Sequence, residues 1–416
     1  MQSRLPRNAP AWLDRLSRWL EPFEVCFPHV AQRGAFRRYL LGLLSDSRRK
    51  SMSAMWERVH DPGTYQAFQH FISHAPWDVA RVWRQLRAVI PDREGVLILD
   101  ATSFPKQGTR SVGVARQYCG TLGKVANCQV AVTAALWTGT RAWMMGAALY
   151  LPEAWLTGEA RHRAKIPSAV SFQEKWRLAI TLLRQTRAAG FHITAVLGDA
   201  DFGDNSTLRQ HLHRQRLDYA LGVSSTLTVV RAGSTRPESL RAIAEQLPRR
   251  AWRVVSWRNG HNRPWKADFA ALRATPAQRW PHRRAPEIWV LFERDRGTTP
   301  RVKAYFVARP ATASLRALVR LAHHRWAIEQ QYEELKDELG LEHFEGRSYP
   351  GWNRHVLLTA LAYTWLQHER RRSGARLPSL PAARAVMTEV LTAHFFVTHP
   401  HYLETMMKFR DFHLRI

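Results

Sequence analysis

The chain has little that would staple a small secreted domain together, and little that would carry it into a bilayer. Its 416 residues include three cysteines, Cys26, Cys119 and Cys128. These are too few for a disulfide framework and lack the second pair or His-x-x-x-His partner that a structural zinc site needs. They read as packing residues in a reducing compartment. No uninterrupted apolar run is long enough to span a membrane. The opening Met1-Gln2-Ser3-Arg4-Leu5-Pro6-Arg7 lacks the apolar segment of a signal peptide. There is no internal repeat and no low-complexity stretch. Acidic residues are scarce as well: 34 Asp and Glu stand against 62 Lys and Arg, a formal net charge of +28. That imbalance favours a polyanionic partner, nucleic acid first and no membrane, and argues against a paired-carboxylate hydrolase of neutral sugars.

What is present is an apolar fraction of 45%, ordinary for a globular core, and 17 tryptophans scattered through basic sequence. Residues 1–90 carry helical periodicity, as in Trp12-Leu13-Asp14-Arg15-Leu16 and Phe36-Arg37-Arg38-Tyr39-Leu40. The basic run Arg48-Arg49-Lys50 followed by Trp56, Phe68 and Phe71 fits a helical DNA-binding module or a supporting bundle equally well. From residue 95 the pattern turns to strands. Val96-Leu97-Ile98-Leu99 suits a strand buried on both faces and delivers Asp100 before the turn signals Pro105 and Gly108. Antiparallel strands should follow through residue 151, then a helix over about 171–189. A second buried strand, Ile193-Thr194-Ala195-Val196-Leu197-Gly198, ends in Asp199. Helix 206–214 and strand 219–223 complete a β-α-β unit. Residues 225–300, rich in Arg, Trp, Pro and Gly, read as an inserted β-rich lobe. A strand at 303–307 leads to one long helix over 315–339, with further helices at about 354–370 and 381–396.

Taken alone, Asp100 is as readily a loop cap or the partner of an arginine as a metal ligand. In the long helix, Glu329 lies four residues after Arg325 and seven before Lys336, a spacing that predicts all three on one face. An exposed Arg/Glu pair of this kind is commonplace. The order of parts is not. Strand with Asp, antiparallel strands, helix, strand ending in Asp, helix, strand, then helix with Glu is the order of an RNase H-like sheet. That order predicts the Asp100 and Asp199 strands to be neighbours, with the late helix across them.

Three segments then resemble the bacterial insertion-sequence transposases of the DDE class, most closely the insertion sequence 701 family within the group marked by a Tyr/Arg/Glu/Lys helix. They are Asp100-Ala101-Thr102-Ser103-Phe104-Pro105-Lys106-Gln107-Gly108 with its continuation to Asn127-Cys128-Gln129-Val130; Gly198-Asp199-Ala200-Asp201-Phe202-Gly203-Asp204; and Arg325-Trp326-Ala327-Ile328-Glu329 with Lys336 and Gly340-Leu341-Glu342-His343-Phe344-Glu345-Gly346-Arg347. Leu377-Pro378-Ser379-Leu380-Pro381 extends the likeness toward the end of the chain. Two positions depart from the family: Ala322 stands where the signature tyrosine would, and Asp201 where a small residue is usual.

The resemblance implies Asp100, Asp199 and Glu329 as catalytic residues and as ligands of two Mg²⁺ or Mn²⁺ ions, with Asp100 bridging both. It implies Arg325, Lys336, Lys106, Arg347 and, in the inserted lobe, Trp257 as DNA contacts. The implied partners are double-stranded DNA, as terminal inverted repeats and target, and a second copy of the chain as a homodimer on paired ends. The implied location is cytoplasmic and nucleoid-associated. The expected division is a helical N-terminal DNA-binding domain at 1–92 and an RNase H-like core at 93–224 and 301–345. A β-rich insertion occupies 225–300 and a C-terminal helical region 346–416. Two alternatives stay open: a related nuclease that cuts without strand transfer, and a catalytically silent DNA-binding relic.

Overall fold

The computed structural model describes residues 9–59, 61–259, 264–278, 285–297, 301–374 and 379–402. Gly260 of the inserted lobe and Leu377-Pro378 of the C-terminal motif lie outside them. The chain opens with helices α1 (Ala9–Glu24), α2 (Val30–Leu44), α3 (Met52–Trp56), α4 (Tyr65–Ser73) and α5 (Val79–Val89). Ser51, Thr64 and Asp78 cap α3, α4 and α5 by accepting from a first-turn backbone N–H. Strands β1 (Glu94–Pro105), β2 (Ala115–Cys119), β3 (Lys124–Trp137) and β4 (Ala142–Tyr150) follow, then helices α6 (Gly158–Arg163) and α7 (Lys175–Ala188). Next come β5 (His192–Gly198), α8 (Ala200–Gly203), α9 (Ser206–Arg214), β6 (Asp218–Val223), β7 (Thr228–Arg231), β8 (Glu238–Ser239) and α10 (Leu240–Gln246). Strands β9 (Arg253–Asn259), β10 (Pro264–Pro276), β11 (Ile288–Arg294) and β12 (Val302–Ala308) precede α11 (Leu315–His323), α12 (Trp326–Glu333), α13 (Tyr349–Ser373) and α14 (Leu380–Thr398).

The strands form one mixed sheet with the order β2-β3-β1-β5-β6-β12-β11-β10-β7-β8, with β4 added to β3 and β9 to β10. β1 runs parallel to β5 and β5 parallel to β6, whereas β1–β3 and β6–β12 are antiparallel. This is the RNase H-like α/β architecture expected from the order of parts. The β-rich segment does not stand off as a separate sheet: through β12 its strands continue the ladder of the core.

Period-2 alternation in β1 explains the placement of the site. Leu97 and Leu99 pack in one cluster with Ala179, Leu182 and Leu183 of α7. Ile98 points the other way, into a cluster with Leu197, Leu318 and Ile328. Asp100, two residues beyond Ile98, therefore faces α11 and α12. Leu197 pairs with Ile98 across the parallel ladder, so Asp199 emerges on the same face one step further along.

The helices at the two ends of the chain share a single core. α13 is buried around most of its circumference from Gly351 to Gln367 and packs with Phe36, Tyr39 and Leu43 of α2 and Met387 of α14. Arg15 of α1 closes this body with three hydrogen bonds to the buried Glu369, at 3.0, 3.2 and 2.8 Å. No helix among the described residues is long and apolar enough to cross a membrane.

Candidate active site

The expectation of one long helix over 315–339 needs correction. α11 ends at His323, the next bonds tighten to i→i+3 at Ala327 and Ile328, and α12 gives way at Glu334–Glu338 to a π turn. The π turn shifts every later side chain round the axis. Lys336 consequently does not share a face with Arg325 and Glu329. Its Nζ donates to the carbonyl of Ser103 at 3.2 Å and to Thr121 Oγ1 at 3.1 Å, and lies 5.7 Å from the Phe104 ring centre. Buried Glu334 pins the turn to α13, accepting from Tyr363 at 3.1 Å and from Gln330 at 3.2 Å.

Asp100 and Glu329 both meet Arg325, and Asp199 is near enough to act on it electrostatically. The Arg325 guanidinium is bound to Glu329 and approaches Asp100 Oδ1 at 3.5 Å. Asp100 is 6% exposed; burial pushes its carboxyl up to about 7, opposed by Arg325 and reinforced by Asp199 and Glu329. Burial, then the neighbouring Asp201, raises Asp199 too, while Arg325 lowers it. Asp199 also N-caps α8, accepting from the Asp201 N–H at 3.0 Å. Asp201 itself turns aside to Lys175, 2.9 Å away. Glu333, on the exposed side of α12, lines the adjoining cavity.

That cavity, about 780 Å³, is walled by Arg325, Glu329, Glu293, Tyr305 and Trp257; Asp100 and Asp199 do not line it. Trp257 stacks on His323 with ring centres 3.9 Å apart and meets Phe269 edge-on. His323 Nε2 lies 3.3 Å from the Glu293 carboxylate, which also accepts from Tyr305 at 2.6 Å. Ala322, at the signature tyrosine position, is buried on the same wall. Lys106 is held away from the carboxylates by the carbonyls of Glu342 and Phe344, at 3.1 and 2.8 Å. Arg347 is exposed on the loop before α13.

The sequence reading did not single out Tyr305, Glu293, His323, Thr133 or Tyr332. Thr133 sits opposite Asp100 in the β1–β3 register, and its hydroxyl is 2.5 Å from that of Tyr332. Strand alternation carried through β12 would have found Tyr305, two residues before the core-facing Val307. The contact between Trp257 and His323 spans distant segments and has no local signal.

The donors suit a hard divalent cation, because three carboxylates offer oxygen ligands and the negative potential at Asp100 and Asp199 is what such an ion would relieve. Among the described residues no group of three or more His, Cys, Asp or Glu is gathered to hold a metal ion. Arg325 supplies the positive charge among the carboxylates.

Comparison with known proteins agrees with this geometry. The DDE superfamily endonuclease family matches residues 22–264, which include Asp100 and Asp199, and the transposase DDE domain family matches residues 176–365, which include Asp199 and Glu329. A probable transposase for insertion sequence element IS701 from Microchaete diplosiphon is 26% identical over 226 residues, covering 53% of this chain and 56% of that relative. With a match across more than half its length, and carboxylates set on a neighbouring strand pair and a late helix, the chain belongs to the DDE endonuclease superfamily, among the insertion-sequence DDE transposases.

Proposed function

We propose that this protein is a DNA transposase that cleaves transposon ends and joins the freed 3′-hydroxyl to target DNA, with Asp100, Asp199 and Glu329 as its phosphoryl-transfer site. The observation that carries this reading is the convergence of these three carboxylates on Arg325, from β1, the end of β5 and α12. Asp100, Asp199 and Glu329 would hold two Mg²⁺ or Mn²⁺ ions, which would supply Lewis-acid stabilisation of phosphate oxygens and activation of the attacking oxygen. Arg325, released from the carboxylates, would bind DNA phosphates bidentately.

Lys336, Lys106 and Arg347 would extend the phosphate track along the end of β1 and the following loops. Trp257 would offer its ring to a base at the cavity rim after leaving His323. Helices at 1–92 would serve as the DNA-binding domain, with the core, insertion and C-terminal region divided as the sequence suggests. A homodimer would pair the two ends. The net charge of +28 supports a DNA partner.

The test is incubation with linear DNA bearing the element's terminal inverted repeats, a target plasmid and Mg²⁺. End cleavage followed by covalent joining to the plasmid is the expected outcome. Cleavage with no joined product would replace this reading by that of a nuclease.

A further inference from the structure

A second cleft, about 1190 Å³, opens between α5, the outward side of β4, α7 and the start of α13, and neither Asp100, Asp199 nor Glu329 lines it. Four arginines line it, Arg84, Arg87, Arg93 and Arg354, against one carboxylate, Asp78. Asp78 lies 3.8 Å from Arg84. Arg87 and Arg354 are 5% and 6% exposed. Among the described residues neither has an ion-pair partner, and their hydrogen bonds go to neutral acceptors. Arg87 donates to the Met145 carbonyl at 2.8 Å and to Gln185 at 3.1 Å; Arg354 donates to the carbonyls of Ile72 and Ala75 at 2.9 and 2.5 Å. The Nε of Arg354 is buried without a partner.

Carbonyls account for the orientation of these guanidiniums but not for their charge. Taking a cation out of water costs several kcal/mol unless an anion offsets it. Here the charge acting on Arg87 is another arginine, Arg84, and burial alone acts on Arg354. Two tryptophans of the core back the arginines. Arg354 lies over the Trp77 ring at 5.0 Å and Arg87 over the Trp83 ring at 5.7 Å. Gly146 forms part of the floor, where a Cβ would come within 2.8 Å of Leu182 and 3.3 Å of Arg87 Nη2. The absence of a side chain there lets the Arg87 guanidinium lie against β4.

We propose that this cleft binds a nucleoside phosphate, the phosphate against the arginine cluster and the base along the apolar floor of Gly146, Ala147 and Ala148. Guanidinium forks match phosphate oxygens, and arginine planes stack on bases. The volume exceeds the roughly 300–1,000 Å³ of most small-ligand pockets, so it admits a free nucleotide or one nucleotide of a strand.

The test uses the full-length chain in Mg²⁺-free buffer and isothermal titration with dAMP, deoxyadenosine and a short single-stranded oligonucleotide. Two variants at exposed positions, Arg84→Glu to reverse charge and Thr181→Trp to fill the cleft, leave the buried arginines in place. Their folding is checked by circular dichroism. The expected result is binding of dAMP or oligonucleotide by the wild type, no binding of deoxyadenosine, and at least tenfold weaker binding by both variants. Binding by Asp100→Asn should equal that of the wild type, which separates this site from the carboxylate cluster. An oligonucleotide bound more than tenfold tighter than dAMP, and weakened at least tenfold by both variants, identifies a DNA strand as the source; an oligonucleotide the variants leave unchanged while dAMP weakens identifies the free nucleotide. Deoxyadenosine binding as tightly as dAMP, unchanged affinity for both phosphate-bearing probes in either folded variant, or no binding of either of them would overturn the proposal.

Discussion

Asp100 carries the strongest electrostatic tension in the site. Its carboxyl is raised by burial to about 7, so between pH ~4 and 7 the folded state binds a proton that the unfolded state has released. Stability therefore rises on acidification through that window, is lost as the pH climbs through it, and levels off above pH ~7. Asp100→Asn removes the titration. In EDTA the variant should melt above the wild type at pH 8, by a few kcal/mol at most, with the difference vanishing near pH 4. Thermal melts across this range check it. A wild type more stable than the variant at pH 8 would mean that the pairing with Arg325 outweighs burial. Gly203 poses a steric test beside Asp199: a Cβ there would sit 1.7 Å from the Gly222 carbonyl oxygen. Gly203→Ala should cost about 1–3 kcal/mol or more in urea unfolding, because backbone on β6 must move away from α8.

At the scale of elements, the strands were legible because burial leaves a direct mark on sequence. Leu97-Ile98-Leu99 and Ala195-Val196-Leu197 are apolar on both faces because helices cover both. The alternation alone places Asp100 and Asp199 on one face. The late helix was read as unbroken because Arg325, Glu329 and Lys336 fit helical spacing. Spacing does not reveal a π turn, which is held by the buried Glu334 and its distant partners, Tyr363 among them. An unspecified arginine is among the partners expected for Asp100; in the structure it is Arg325, which also pairs with Glu329. The family resemblance implies Trp257 as a DNA contact, yet its ring already rests on His323, a contact between β9 and α11 that no local pattern encodes.

For the whole molecule, the helices at the two ends of the chain and the segment that follows α12 are coupled through one buried histidine. His355 of α13 joins Tyr39 of α2 at 2.8 Å and the carbonyl of Gly340, just past the π turn, at 2.9 Å. Burial lowers its pKa to about 4. The folded state then binds fewer protons than the unfolded, so stability is fully present above pH ~6.5 and is lost as the pH falls toward 4. His355→Gln should flatten that acid-side loss while lowering stability at pH 8. Melting temperatures across pH 4–8 check both, and an equally steep acid loss in the variant would remove His355 as its source.

The central claim is that Asp100, Asp199 and Glu329 act as one catalytic unit on DNA. The direct measurement is Mg²⁺-dependent cleavage of DNA carrying the element's ends by the wild type and by Asp100→Asn, Asp199→Asn and Glu329→Gln, with DNA binding followed in parallel. The account predicts that each variant binds DNA as the wild type does and cleaves it at least ~100-fold more slowly. Cleavage at the wild-type rate by any of the three would contradict it.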